Sequence, residues 1–358
     1  MKLILTGGFL GSGKTTAIQH ACNLLSGQNK TVAVITNDQG EQLVDSKFIE
    51  SSFIPVKEVT KGCFCCNYNA LLQNIYYFAK EINPEIIFAE SVGSCTDLVA
   101  TISKPLAEMH PELTVNISVF ADAYFLYSII NRTASFLDDS VRYIFKKQME
   151  EADILILNKI DLLNEEQLKK VKQIIQQDYS SKKILLQNSL NDTNVQQWLN
   201  CLNEQNVAER KSLDIDYKIY GEGEAKLAWL DAVVQVKTKK LAALKAAVLF
   251  TEIMYQKIKE LELAIGHLKY LIDDSEQFYK ISYTTASIQQ QNLSFNSTSF
   301  NASVIINARV QTEPEILEQI FNEAIEEAAL QSNSKIQIQS LSSFKPDFPK
   351  PTYRNAIN

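Results

Sequence analysis

Short hydrophobic runs recur along about the first two hundred residues, separated by stretches with helical character. Most of these runs are apolar on both faces and bounded by polar or turn residues, which is typical of parallel strands buried beneath helices. The runs are LILT, TVAVIT, EIIFAE, TVNISVF, ADILILN and KKILLQ. This alternation predicts an α/β domain with a mostly parallel sheet over residues 1–205.

The pattern changes after residues 204–218, where mixed charge without periodicity predicts a linker. Apolar residues three or four apart from Leu241 to Leu268 predict one long amphipathic helix, on which His267 would lie. Strict alternation over 302–310 predicts a half-buried strand. The remaining elements are strands at 225–236, 277–284 and 335–340 and a helix at 314–330. The order βαββαβ predicts a smaller α+β domain, ferredoxin-like, over 219–340.

Two polar segments carry no interpretable chemistry. Residues 287–299, rich in Gln, Asn and Ser, predict an exposed loop, and residues 341–358, interrupted by prolines, predict an irregular tail.

Composition narrows the functional classes. The net charge of −7 and the pI near 5.3 argue against nucleic acid and anionic membranes as partners. No apolar stretch approaches the roughly 18 residues that a membrane helix needs. Three of the six cysteines crowd into four positions, which is unlike a disulfide framework and suits a reducing compartment. We therefore expect a soluble, cytoplasmic protein.

The segment GGFLGSGKTT at 7–16 satisfies the phosphate-binding pattern GxxxxGK[ST]. It follows a predicted strand and precedes a predicted helix, an order that a chance glycine turn would rarely have. Backbone N–H groups would cradle the phosphates, Lys14 would reach the β and γ oxygens, and Thr15 would bind Mg²⁺. The expected phosphate-binding residues are Gly8, Gly11, Ser12, Gly13, Lys14, Thr15 and Thr16. The first domain is thus predicted to be a P-loop NTPase.

The segment NKID at 158–161 follows the strand ILIL, at the sheet edge where open α/β folds bind ligands. The Asp161 carboxylate can accept hydrogen bonds from guanine N1–H and N2–H₂, which adenine does not offer. Asn158 and Lys159 would complete the pocket. Alone such a segment is often only a helix-capping turn, but downstream of a phosphate-binding loop it predicts GTP.

Acidic residues predict the magnesium side of the site. The strand EIIFAE ends in Glu90, followed by Gly93, whose N–H can sense a γ-phosphate; a solvent-facing Glu at a strand end is the alternative. The loop NDQGEQLVD carries Asp38, Glu41 and Asp45, any of which could hold Mg²⁺ or orient water, although surface charge explains each equally well. We take Lys14, Asp38 and Glu90 as the catalytic candidates, and Thr15, Asp38 and Glu90 as the magnesium ligands.

The segment GCFCC contains Cys63, Cys65 and Cys66. An extended Cys-Phe-Cys projects its two thiols to one side, and Cys66 precedes a predicted helix at 67–80, which favours thiolate. Three converging thiolates would bind Zn²⁺ or Co²⁺ and leave a fourth position open. The alternatives are buried structural cysteines or a redox pair. Cys95 could approach the same region, although a lone helical cysteine is more often simply buried.

In this order, GFLGSGKTT, NDQGE, GCFCC, ESVG and NKID resemble the CobW-type branch of the CobW/HypB/UreG GTPases, whose diagnostic feature is a Cys-x-Cys-Cys motif. The resemblance spans about residues 1–200. It implies a GTPase with slow intrinsic turnover that acts as a metallochaperone or metal insertase, commonly for zinc or for cobalt in cobalamin metabolism. The roles carried over are phosphate and Mg²⁺ binding for Lys14 and Thr15, the second acidic motif for Glu90, guanine binding for Asn158 and Asp161, and metal binding for Cys63, Cys65 and Cys66.

The chain also departs from this family. Many relatives have a histidine-rich tract, an acid before the switch Asn and a histidine after an Asp-Ala pair. Here the last two positions are Thr36 and Phe125, and the three histidines form no metal motif.

The leading hypothesis is a metallochaperone in which GTP and Mg²⁺ set the geometry at the cysteines. Its partner would be a client metalloprotein or a cobalamin-pathway enzyme, and a nucleotide-dependent homodimer stays open. The alternative is a regulatory GTPase that activates a partner enzyme, with structural or redox cysteines. A P-loop kinase is the third hypothesis, against which NKID counts.

Overall fold

The protein forms two compact units in a computed structural model that describes residues 1–40, 44–133, 138–204, 210–284 and 299–355. The first unit contains residues 1–39, 52–223 and 348–358, and the second contains residues 40–51 and 224–347. The sequence-based division, at 205 and 219, differs from this one. Segments 40–51 and 348–358 each join a unit whose other residues are distant along the chain, which no local pattern can report.

The first unit is built on a seven-stranded sheet. Its strands are β1 Lys2–Gly7, β2 Val32–Asn37, β3 Val56–Val59, β4 Ile86–Glu90, β5 Thr114–Asp122, β6 Ile154–Asn158 and β7 Lys183–Gln187. The order is β3-β2-β4-β1-β5-β6-β7, and every neighbouring pair is parallel. The predicted α/β class is therefore confirmed. The four-residue edge strand β3 was not predicted, because the sequence VKEV is too short and too polar to stand out.

Helices connect these strands. They are α1 Lys14–Gly27, α3 Tyr68–Glu81, α4 Lys104–Met109, α5 Ala123–Ile130, α6 Asp139–Glu151, α7 Glu165–Asp178, α8 Asp192–Glu204 and α9 Tyr217–Glu224, while α2 Val44–Glu50 belongs to the second unit. A π-helical turn, Val99–Ser103, leads into α4, and a 3₁₀ turn covers Ile160–Leu162. Within the described ranges, no helix is long and apolar enough to span a membrane.

The strand register sets the position of the functional edge. Glu90 at the end of β4 is level with Thr6 of β1 and Thr36 of β2. On the other side of β1, Asp122 of β5 is level with Asn158 of β6. Because all seven strands are parallel, the segments that follow them meet along one edge of the sheet.

The second unit is an antiparallel sheet with two helices. Its elements are β8 Ala228–Lys237, α10 Ala243–Glu260, β9 Ile265–Asp273, β10 Phe278–Tyr283, β11 Asn301–Val310, α11 Pro314–Ser332 and β12 Lys335–Phe344. The strand order is β10-β9-β11-β8-β12, which is a ferredoxin-like sheet extended by β10 at one edge. Side chains from both helices and the sheet, such as Phe250, Phe321 and Ile306, share one buried core.

The long helix predicted up to Leu268 was wrong in its last third. The helix ends at Glu260, Glu262 takes a left-handed backbone conformation with φ of 54°, and β9 begins at Ile265. Ile265 and Leu268, three apart, suit a helical period, but they pair with β11 instead. His267 therefore lies on a strand. The last strand also runs four residues beyond the predicted end, and most of the loop predicted at 287–299 lies outside the described residues.

Candidate functional site

The phosphate-binding loop joins β1 to α1. Gly8, Gly11 and Gly13 all have positive φ, and a Cβ at Gly8 would lie 2.1 Å from the Phe120 carbonyl oxygen. The buried Lys14 ammonium donates to the carbonyls of Gly8 at 2.7 Å and Phe9 at 3.3 Å, so it is drawn back over its own loop. The buried Ser12 hydroxyl has no hydrogen-bond partner within the described ranges. These donors fit the oxygens of a bound phosphate.

Thr15 and Glu90 meet beside this loop. The Thr15 hydroxyl donates to Glu90 Oε1 at 2.9 Å, and both side chains are buried. A hydroxyl and a carboxylate oxygen are hard donors that suit Mg²⁺. Gly93 follows Glu90 by three residues, and a Cβ at Gly93 would lie 3.0 Å from backbone atoms of Leu10. The loop after β4 therefore packs directly on the phosphate-binding loop.

Asn158 joins the phosphate-binding loop to the predicted base pocket. Its Nδ2 donates to the Ser12 carbonyl at 2.7 Å, while its Oδ1 accepts from the backbone and hydroxyl of Ser189 at 3.1 and 2.8 Å. Lys159, in a left-handed conformation, pairs with Asp122 at 2.8 Å. Asp161 lies exposed on the 3₁₀ turn.

The sequence reasoning missed Asp122 and Ser189. Asp122 ends β5 and caps α5, accepting from the Phe125 N–H at 2.9 Å. For Asp122, the only signal in the sequence was its position at the end of a buried strand.

Two of the three acids in the segment after β2, Asp38 and Asp45, belong to different units. Asp38 is half-buried, and its N–H donates to the Val59 carbonyl at 3.2 Å. Glu41 lies outside the described residues. Asp45 lies on α2 and pairs with Lys269 and Lys280 inside the second unit, so its charge is already balanced there.

Asn37, at the end of β2, holds the cysteine loop, a role that the sequence analysis did not predict. Its Nδ2 donates to the carbonyls of Val59 and Gly62, both at 2.8 Å, and its Oδ1 accepts from the Phe64 N–H at 2.8 Å. Phe64 lies between two of the cysteines. Asn37 directly precedes Asp38, so the loop is attached to the start of the predicted switch segment.

The predicted cysteines do come together. Cys63 Sγ lies 2.8 Å from Cys65 Sγ and 3.1 Å from Cys66 Sγ, and the last two sulfurs are 3.9 Å apart. All three lie within 4.8 Å of one another, an arrangement able to hold a metal ion. A tetrahedral zinc site with Zn–S of about 2.3 Å separates its sulfurs by about 3.8 Å, so outward shifts of about 1 Å would admit the ion.

The cluster favours one thiolate. Thiol hydrogen bonds from Cys65, Cys66 and Cys95 hold the pKa of Cys63 well below its usual value. Hydrogen bonding to Cys63, together with burial, raises the pKa of Cys65 well above its usual value and that of Cys66 to about 11. Cys63 is thus the sulfur most easily held as a thiolate.

Cys95 was expected on a helix, and that expectation was wrong. It lies in the loop between β4 and the π-helical turn and is buried. Gln148 of α6 holds this loop by donating from Nε2 to the carbonyls of Gly93 at 3.0 Å and Cys95 at 2.8 Å.

The C-terminal tail covers the cluster, although it was predicted to carry no chemistry. The Lys350 N–H donates to Cys66 Sγ at 3.3 Å, and Thr352 donates through its N–H to the Cys65 carbonyl at 2.8 Å. Arg354 anchors the tail by donating to Asp97 at 2.8 Å. Asp97 follows Cys95 by two residues, so the tail contacts both cysteine-bearing loops.

The family model for the nucleotide-binding domain of CobW/HypB/UreG matches residues 2–186, which include the phosphate loop, the cysteine cluster and NKID. The chain belongs to the CobW/HypB/UreG family. It is 28% identical over 205 residues to zinc-regulated GTPase metalloprotein activator 1 of Dictyostelium discoideum, which covers 47% of this chain and 42% of the relative. It is 40% identical over 70 residues to zinc chaperone YjiA of Escherichia coli, covering 20% of this chain and 21% of the relative.

The chain therefore spans less than half the length of these curated CobW/HypB/UreG relatives. Among solved structures, HypB from Helicobacter pylori in complex with nickel matches with 15% identity and a TM-score of 0.41, covering 56% of this chain and 85% of that one. Similarity of that degree does not extend to function.

Two ligand positions of many CobW-type relatives are filled here by side chains that do not suit metal. Thr36 is buried in β2, and its hydroxyl donates to the Lys57 carbonyl at 3.5 Å. Phe125 stacks on Phe9, with ring centroids 5.7 Å apart.

Proposed function

We propose that this chain is a GTP-hydrolysing metallochaperone whose nucleotide state controls a zinc or cobalt ion at Cys63, Cys65 and Cys66. One observation carries the proposal. The cysteine loop is held by Asn37 at the end of β2, and β2 pairs with β4, whose last residue Glu90 accepts from Thr15 of the phosphate-binding loop. A change around the γ-phosphate would therefore reach the cysteines through very few residues.

In this proposal the nucleotide site works by positioning and charge. The loop from Gly8 to Thr16, including Gly11, Ser12 and Gly13, binds the phosphates, and Lys14 leaves its carbonyl partners to neutralise the β and γ oxygens. Thr15 and Glu90 would hold Mg²⁺, which supplies charge neutralisation at the transferring phosphoryl group. Asp38 is the candidate for orienting the attacking water, and Gly93 for sensing the γ-phosphate.

Guanine specificity would rest on Asp161, with Asn158 and Lys159 shaping the pocket. The support is that Asn158 already bonds both the phosphate loop and Ser189, and that Asp122 fixes the Lys159 side chain. These contacts hold the pocket residues in place, which lowers the ordering cost of binding.

The metal is cargo in this scheme. Soft thiolates suit Zn²⁺ and Co²⁺, and the names of the relatives, which include a zinc chaperone and a metalloprotein activator, favour a client metalloprotein as the recipient. A cobalamin-pathway enzyme is a more specific candidate for that client. A homodimer that forms when nucleotide binds is compatible with the scheme. The reducing cytoplasm, where thiols stay free, is the compartment we propose.

The test is a linkage measurement. Zn²⁺ and Co²⁺ affinities are measured on protein loaded with a non-hydrolysable GTP analogue and with GDP, and we expect them to differ by about 5- to 150-fold. Cys65→Ala should abolish tight metal binding, while Cys201→Ala, a buried cysteine on α8, should leave it intact. Equal metal affinities in the two nucleotide states would refute the coupling.

A regulatory GTPase with a redox switch is the second candidate, and the 2.8 Å approach of the Cys63 and Cys65 sulfurs favours it. It predicts no stoichiometric metal at micromolar free Zn²⁺ and a change in GTP hydrolysis when the thiols are oxidised. Stoichiometric zinc in the purified protein would instead support the metallochaperone.

A further inference from the structure

The C-terminal tail contacts two segments of the first unit that lie far from it along the chain. The first is the cysteine loop, where the Lys350 N–H donates to Cys66 Sγ at 3.3 Å. Thr352 binds the backbone of two cysteines, donating through its N–H to the Cys65 carbonyl at 2.8 Å and through its hydroxyl to the Cys66 carbonyl at 3.0 Å. The tail therefore holds the backbone of two expected metal ligands and one of their sulfurs.

The second segment follows β4. Arg354 Nε donates to Asp97 at 2.8 Å, and the Asp97 side chain is fully buried. The Tyr217 hydroxyl donates to the same carboxylate oxygen at 2.8 Å. The Asn355 N–H donates to the Ala100 carbonyl at 2.9 Å. Because charge-assisted hydrogen bonds are about twice as strong as neutral ones, the bond between Arg354 and Asp97 is the firmest of these anchors.

The segment after β4 is fastened to α6 at two points. Gln148 donates from Nε2 to the carbonyls of Gly93 at 3.0 Å and Cys95 at 2.8 Å. On the same helix, the buried Glu151 accepts from the Asp97 N–H at 2.9 Å. Gly93 and Asp97 are therefore tied to one helix, so a displacement of Gly93 is shared by the residue on which the tail is anchored.

We propose that the tail segment 350–355 couples the metal at the thiol cluster to the nucleotide, with Arg354 as the positioning residue that fastens it. The inference rests on the proposed metallochaperone function and specifies how that metal site is regulated. While a γ-phosphate holds Gly93 against the phosphate-binding loop, Asp97 keeps the tail attached and the cluster retains its metal. After hydrolysis the tail loosens, the cysteine loop loses its hydrogen bonds to the tail, and the metal dissociates faster.

The tail complements the connection that runs through Asn37. The pairing of β2 with β4 keeps Asn37 and Glu90 at the ends of two neighbouring strands, so that connection is stiff. The tail joins loops instead, and its hydrogen bonds can break without disturbing a strand. The Arg354 side chain is 31% exposed, so water can replace Asp97 as its partner.

The ratio of the zinc affinities measured with a non-hydrolysable GTP analogue and with GDP tests the inference. We expect the wild type to bind zinc about 5- to 150-fold more tightly with the analogue, and Arg354→Ala to bring this ratio to within about twofold of unity. A merely structural role would lower both affinities together and leave their ratio unchanged. Lys350→Ala is the matched control from the same segment. It keeps the backbone N–H that bonds Cys66 and should retain the wild-type ratio.

Hydrogen exchange gives a second readout that needs no variant. The N–H groups of Thr352 and Asn355 are bonded to the carbonyls of Cys65 and Ala100, so their exchange reports whether the tail is attached. In the wild-type protein both should exchange about tenfold faster with GDP than with the GTP analogue. Equal exchange rates in the two nucleotide states would overturn the inference.

The outcomes separate this inference from the function on which it rests. A wild-type protein that takes up no stoichiometric Zn²⁺ or Co²⁺, or binds them equally in both nucleotide states, refutes the metallochaperone proposal and this inference with it. A wild-type affinity ratio that persists in Arg354→Ala overturns the role of the tail alone. The exchange measurement decides the matter even where Arg354→Ala fails to fold.

Discussion

The Asn37 side chain accepts a hydrogen bond from the Phe64 backbone at 2.8 Å, which attaches the cysteine motif to the end of β2. The same amide donates to two more carbonyls of that loop. Asn37 is thus a positioning residue: its amide bonds backbone groups and fixes the segment that carries Cys63 and Cys65.

Asn37→Ala should weaken metal binding. Removing the amide takes away the partner of the Phe64 N–H and of the Gly62 carbonyl, at a cost of about 1–3 kcal/mol, and lets the three thiols spread. We expect zinc affinity to fall about tenfold and GTP affinity to change by less than about threefold. Competition with a chromophoric chelator measures the first, and fluorescent nucleotide titration the second.

Asn74→Ala is the control for that prediction. Asn74 also donates to one backbone carbonyl, that of Glu58 at 3.1 Å, but this hydrogen bond is exposed to solvent. Its replacement should leave zinc affinity unchanged. An equal loss in both variants would mean that Asn37 acts through general stability.

Asp161→Ala should remove guanine specificity. Two charge-assisted hydrogen bonds, each worth about 1.5–3 kcal/mol, correspond to roughly a 10²- to 10⁴-fold loss of GTP affinity, and weak ATP binding should not change. Isothermal titration with GDP and ADP measures both. Glu165→Ala, which removes a nearby exposed acid at the start of α7, should bind GDP normally. Unchanged discrimination in Asp161→Ala would assign base recognition to another group.

Asp45 makes the second unit acid-sensitive. Burial alone would raise its pKa, but Lys269, Lys280 and His267 outweigh burial and bring the pKa below its usual range. In the unfolded chain an Asp carboxyl has a pKa of about 3.9. When the pH falls below that pKa, the native state therefore binds fewer protons than the unfolded state. The stabilisation is complete above that pH and is lost progressively below it.

Asp45→Asn should cost about 3 kcal/mol at pH 7, because two lysines lose their counter-charge, and should flatten the dependence of stability on pH below 4. Urea unfolding measures this in a Trp198→Phe background, where Trp229 of the second unit is the single tryptophan. Glu50→Gln, at an exposed pair on the same helix, should cost less than about 1 kcal/mol. Parallel pH curves for wild type and Asp45→Asn would contradict the assignment.

The tail should protect Cys66. Arg354→Ala removes the bond to Asp97 and releases the segment that covers the cluster. In metal-free protein, Cys66 should then react about tenfold faster with a disulfide reagent, since its reactivity depends on access as well as on thiolate character. Lys350→Ala keeps the backbone N–H that bonds Cys66 and should react at the wild-type rate. If Arg354→Ala also reacts at that rate, the tail does not limit access.

The local pattern was enough for the first sheet and for much of the site. Buried strands are continuous apolar runs, and the phosphate loop, NKID and GCFCC are contiguous, so their chemistry is visible in a single window of sequence. The pattern was ambiguous where two periods coincide: Ile265 and Leu268 fit a helix by spacing but lie in β9. The edge strand β3 was not predicted for the opposite reason, since its four half-polar residues show almost no hydrophobic pattern.

The sequence by itself determined the family, the α/β class, the phosphate loop and the presence of a thiol cluster, because each depends on residues that are close together in the chain. Only the tertiary structure decided that Asn37 holds the cysteine loop, that the tail bonds the thiol cluster and that Asp45 belongs to the second unit. Each of these contacts joins residues from about 25 to nearly 300 positions apart. Such pairs depend on how strands and loops pack, and the hydrophobic periodicity of the sequence does not report that packing.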